Sequence, residues 1–180
     1  MLGAILPVLN VFLVYVMRHE DFYDVARSEI GTESGDVIFY SEIGVVFGIA
    51  FLAGMLHDVI SPRLTLFLGF VVCGASIAAV PFGLTPVPYL VFMRLLNIIG
   101  VSGLLTSPLS IDYFTHDSQG AAHGWLYIIF SLSLMLWILI FFEAAKTFDL
   151  RVCFLGLACV AGLGAIMMLL TVVNVRRGTQ

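Results

Sequence analysis

Charge is scarce in this sequence. Lys and Arg number 8, Asp and Glu 12, and together they make 11% of the 180 residues, less than half the share in a soluble globular domain. A net charge of -4 leaves no basic footprint for nucleic acid. Cysteine is scarcer still: Cys73, Cys153 and Cys159 all fall inside apolar runs, so they build neither a disulfide framework nor a metal-ligand cluster. Gly-rich phosphate loops, nucleophile elbows and zinc-protease helices are missing as well. The expectation is therefore a protein that is not an enzyme and carries no cofactor.

What is present is apolar. Hydrophobic residues make up 61% of the chain, mean hydropathy is +1.08, and the runs are long. Spans of about 20 residues each leave room for a single membrane domain over residues 1–180 with no soluble domain attached. The expected fold class is all-α, a polytopic transmembrane six-helix bundle. Its helices are expected over about 1–17, 37–56, 64–82, 89–111, 125–142 and 152–173. The first run has no Lys or Arg before it and no small-residue cleavage site, so it reads as a retained helix and not a secretory signal. Pro7 and Asn10 within it suit a kink and a helix contact, or else a break in a cavity wall.

Residues 18–36 form the one long polar segment and read as a solvated loop with room for one helical turn, with six acids against Arg18 and Arg27. Pro81, Pro86 and Pro88 make the turn between the third and fourth helices, and residues 112–124 a second polar turn. Six helices put both ends of the chain on one side. Arg63, Arg176 and Arg177 lie on that side and Arg18, Arg27, Lys146 and Arg151 on the other, so the distribution of cations does not orient the bundle. Tyr89, Tyr113, Trp125 and Phe148 near helix ends suit an interfacial aromatic belt.

Few residues are left to carry chemistry. Arg94 is the costliest, because an Arg inside a membrane helix is expensive unless it faces a cavity or a partner. Counted from Pro88 at about 1.5 Å per residue, it lies roughly 9 Å into the outer half of the fourth helix. Asn97 shares its face at i+3, and Glu42 on the second helix reaches a similar depth. Arg94, Asn97 and Glu42 are the candidate substrate-binding residues, with a structural Glu42–Arg94 ion pair as the equal alternative. The dipeptides His57-Asp58 and His116-Asp117 invite a metal reading. Catalytic metal chemistry needs three converging protein ligands, and the adjoining helices offer no acid to complete a set.

The turn Gly54-Met-Leu-His-Asp58-Val-Ile-Ser-Pro62-Arg63 sets a helix-ending Gly and two opposite charges around a Pro suited to a helix start. This spacing resembles the loop between helices two and three of major facilitator superfamily transporters. The resemblance extends to the N-terminal half of that family. Arg94 with Gly100 and Gly103 is similar to its helix-four pattern, residues 119–124 to its entry into helix five, and Asp149-Leu-Arg-Val-Cys-Phe154 to its entry into helix six. Ser61 and Gln119 depart from it, standing where a Gly and a basic residue are usual. A fainter likeness links Ser-Pro-Arg at 61–63 to nodulin-like and system-L-type amino acid carriers.

The resemblance implies a multi-pass integral membrane protein with cytosolic termini, moving a small-molecule solute by alternating access. It implies a gating loop of Gly54, Asp58 and Arg63, with Asp112 across the surface. Carriers of this kind have two six-helix halves, so this chain is expected to meet a second half, a second copy or other membrane subunits in the lipid bilayer. Gly44 and Gly48, or Gly100 and Gly103, are the small-residue faces for such a contact. The alternative function is a non-transporting, half-size or truncated relative acting as a structural subunit.

Overall fold

The computed structural model describes residues 8–19, 22–23, 25–48, 61–83, 85–105 and 118–171. Among them all regular structure is helical, in six α-helices, α1 Val8–Arg18, α2 Ile30–Gly48, α3 Pro62–Ala79, α4 Val91–Leu105, α5 Gln119–Thr147 and α6 Leu150–Thr171, with a short 3-10 segment at Val80–Phe82 and a π segment at Pro86–Leu90 between α3 and α4. Three stretches are long and apolar enough to cross a membrane: Arg63–Phe82, Gln119–Thr147 and Leu150–Thr171.

α3 is the central element, and its start is written locally. Ser61, in an extended conformation, accepts a hydrogen bond on its hydroxyl from the Leu64 N–H, and Pro62 occupies the first turn where no donor is needed. The helix then packs along α4 on one side and α6 on the other. Its buried Phe70, Cys73 and Ile77 join Ala161 and Ala165 of α6 and Leu90 in the core. Small residues set these distances. A Cβ on Gly74 would lie 3.2 Å from that of Ala161, and one on Gly164 would lie 2.8 Å from the Phe70 ring. Close backbone approach of this kind is how apolar helices associate where hydrophobic exclusion is weak.

α1 is bound to the bundle by aromatic contact. Phe12 lies 4.4 Å from Phe141 and 4.7 Å from Phe142 between ring centroids, and Phe141 continues to Phe154 at 5.3 Å. Past Arg18 the chain turns back: the Val25 N–H donates to Met17 O at 3.0 Å, and Tyr23 reaches across to donate to Val80 O at 3.1 Å. Tyr89 donates to Ala79 O at 2.6 Å. Two phenols thus serve carbonyls at the end of α3. Gly83 lies between them, and a Cβ there would fall 2.1 Å from the Tyr89 ring and 2.6 Å from the Tyr23 hydroxyl. Burial, with Tyr89 adding to it, pushes the Tyr23 phenol well above its ordinary value.

Two helices extend beyond their apolar runs. α2 begins at Ile30 and not at Val37, so part of the expected polar loop is helical. Glu33 in its first turn suits the positive helix end. α5 covers 29 residues instead of the expected 125–142. Residues 119–124 form its first turns, and at its other end Lys146 pairs with Glu143 at 2.7 Å one turn away. Hydropathy marks the stretch that suits lipid, whereas the helix continues for as long as its polar flanks can close i→i−4 bonds. The expected linker 143–151 therefore shrinks to Phe148 and Asp149. The Asp149 carboxylate accepts from the Arg151 N–H at 2.9 Å and its carbonyl from the Cys153 N–H at 3.2 Å, which caps α6.

α5 is the least covered helix. Only Ser133 and Phe141 are fully buried on it, while Trp125, Leu132, Met135 and Leu139 are among its many exposed apolar side chains. An exposed apolar face of this extent is uncommon on a monomeric water-soluble protein.

Candidate functional site

The polar interior is built where α4 passes between α2 and α3. Arg94 stands one turn into α4 and is 5% exposed. Its Nη1 donates to Val37 O at 3.4 Å and to the Ser41 hydroxyl, and its Nη2 donates to Glu42 Oε1 at 3.2 Å. Val37 and Ser41 lie one turn apart on α2, so a single face of that helix supplies both acceptors for Nη1. The Ser41 hydroxyl spends its own proton on Ile38 O at 2.9 Å, which leaves its oxygen free to accept.

The two partners of the ion pair differ sharply in environment. The Arg94 side chain is 6% exposed and that of Glu42 57%. One end of the pair is built in; the other is at the surface.

Asn97, fully buried, faces α3 instead. Its Nδ2 donates to Ser76 Oγ at 3.3 Å, Ser76 donates to Cys73 O at 2.7 Å, and the Cys73 thiol donates to Asn97 O at 3.2 Å. The Asn97 Oδ1 is buried without a hydrogen-bond partner. Arg94 and Asn97 thus share α4 but serve different neighbours: Arg94 ties α4 to α2, and Asn97 ties it to α3. The three candidate residues form two adjoining clusters instead of one ring.

Gly100, one turn beyond Asn97, is where α3 and α4 come closest. A Cβ there would lie 2.4 Å from Cys73 Sγ and 2.7 Å from Gly69 O. This corrects the expectation that Gly100 belongs to a face for a second chain: it is buried against α3 of its own chain, because that approach leaves no room for a side chain. Gly103, Gly44 and Gly48 lie on helices, but their surroundings are outside the described residues.

Of the expected gating loop, Arg63 alone lies within the described residues. It is half-buried near the start of α3, and its Nε is buried without a hydrogen-bond partner. Gly54, Asp58 and Asp112 lie outside the described residues, as do Pro7, His57, His116 and Asp117. Sequence reasoning missed Ser41 and Ser76. The signal available was weak: a hydroxyl in an apolar helix satisfies itself on its own backbone at little cost, so it does not stand out as an intramembrane charge does.

No family model, curated protein or solved structure matches the chain. The site's chemistry therefore rests on its own geometry. A guanidinium held by Val37 O, Ser41 and Glu42 can neutralise a carboxylate, hold two helices in register, or present a positive charge to a solute. Among the described residues, no group of three or more His, Cys, Asp or Glu is placed to hold a metal ion.

One cleft of about 300 Å³ lies elsewhere, between α5 and α6. Trp137, Phe141, Phe148 and Leu157 are among the residues that line it, and its wall is almost wholly apolar.

Proposed function

We propose that this chain is a multi-pass membrane protein acting as one half of a solute carrier of the major facilitator kind, with Arg94 and Glu42 as the polar wall of its solute path. The observation that carries this reading is the 57% exposure of the Glu42 side chain on a helix whose neighbouring Ile38, Phe39, Tyr40 and Ile43 are apolar and exposed. A carboxylate turned toward hydrocarbon is costly. It faces water or a protein partner, and a cavity shared with a second bundle supplies both. That second bundle is a separate half, a second copy of the chain or another membrane subunit, and the termini lie in the cytosol.

The three hydrogen bonds from the Arg94 head group to Val37, Ser41 and Glu42 of α2 favour a second reading, in which the cluster is a static clasp within a non-transporting subunit. Water access separates the two. In a background with Cys159 replaced by Ser, leaving the buried Cys73 and Cys153, Glu42→Cys is exposed to a charged, membrane-impermeant thiol reagent from each side in turn. A carrier admits the reagent from both sides. Protection from both sides, with a permeant reagent still reacting, rejects the carrier.

A further inference from the structure

The Arg94 guanidinium is gripped unequally. On one edge, Nη1 is held by Val37 O and the Ser41 hydroxyl, a backbone group and a fully buried side chain that cannot leave without moving α2. On the other edge, Nη2 donates to Glu42 Oε1 at 3.2 Å, and that side chain is more than half exposed. A Glu side chain this exposed loses little packing when it swings away. The guanidinium that remains is a planar donor suited to a carboxylate, still aligned by its fixed edge.

We propose that Glu42 is an internal competitor, holding by its carboxylate the place that a monocarboxylate solute takes on Arg94. This rests on reading the cluster as a solute site and adds the solute's chemical class. The charge balance selects a monoanion. Arg94 is the only Lys or Arg among the described residues of α2 and α4, so once Glu42 has swung out one carboxylate matches the one guanidinium. A phosphate or dicarboxylate would bring uncompensated charge into an apolar setting. The displaced Glu42 moves outward, to the water or partner that its exposure already requires.

Competition has a signature that a structural ion pair lacks: removing Glu42 should improve binding. If Glu42 occupies the guanidinium about nine-tenths of the time, the apparent affinity of an outside carboxylate is reduced roughly tenfold, and deleting the competitor restores it. The test is thermal stabilisation of the full chain in mild detergent, titrated with sodium benzoate, with benzamide as the neutral isostere and phosphate as the multivalent anion. Glu42→Ala should lower the half-maximal benzoate concentration roughly tenfold relative to the native chain. Glu42→Gln, which can still accept a hydrogen bond, should fall between them and serves if Glu42→Ala does not fold. Arg94→Gln should abolish the response, and benzamide and phosphate should produce none.

An unchanged or weakened benzoate response in both Glu42 variants overturns the proposal. So does an equal response to benzamide or phosphate, or a response that survives Arg94→Gln. Benzoate competition without two-sided access at position 42 would keep the site and reject the carrier. Two-sided access without benzoate competition would keep the carrier and reject this assignment.

Discussion

A methyl group at Gly100 should pry α3 from α4. In Gly100→Ala the new Cβ would fall 2.7 Å from the Gly69 carbonyl oxygen, about 0.7 Å short of an ordinary 3.4 Å contact, and 2.4 Å from Cys73 Sγ. The sulfur is no easy retreat, because Cys73 is fully buried and its thiol donates to Asn97 O. The carbonyl belongs to the backbone of α3. Relief therefore requires the two helices to separate, which also stretches the Asn97–Ser76 bond. Overpacking of this kind costs about 1–3 kcal/mol, partly offset by Ala's helix propensity, worth up to about 1 kcal/mol over Gly. Gly162→Ala on α6 is the matched control, since nothing lies within 4 Å of a Cβ there, and only the propensity gain applies. In thermal unfolding of the full chain in mild detergent, Gly100→Ala should melt several degrees below native and Gly162→Ala at or slightly above it, about 2–4 °C per kcal/mol for a chain of this size. Equal melting temperatures for the two variants would refute the close α3–α4 approach.

Two further expectations concern the ends of the helices. Asp149→Ala removes the acceptor for the Arg151 N–H and should cost about 1 kcal/mol, read as a lower midpoint in the same melt, with Asp149→Asn retaining most of the stability. Tyr23→Phe should lose the hydrogen bond to Val80 O, worth about 1 kcal/mol, and should also change the alkaline limb of stability. The Tyr23 phenol is raised above its ordinary value in the fold. Above about pH 10 the native protein therefore holds a proton that the unfolded chain releases, and stability falls as pH rises. A melt series from pH 8 to 11 should show a shallower decline in Tyr23→Phe than in the native chain, and identical slopes would remove Tyr23 from the account.

Composition by itself determined that this chain is helical and suited to an apolar solvent. With so few charges, its backbone polar groups are best satisfied within each segment, and helices do that without reference to the rest of the fold. Single residues were legible on the same ground. Pro62 marks a helix start because its missing N–H is harmless only there, and Arg94 with Glu42 stood out because charges at similar depth in apolar runs need one another. Tertiary structure decided the rest. Residues 30–36, 119–124 and 143–147 are helical although polar, because hydrogen bonding along a helix does not stop where hydropathy does. The rotation of α4 about its axis sends Arg94 to Ser41 and Val37, Asn97 to Ser76, and Gly100 against Gly69 and Cys73. A helix in an apolar setting can turn about its axis with little change in hydropathy, so the linear pattern leaves that angle open, and only the packing of neighbouring helices selects it.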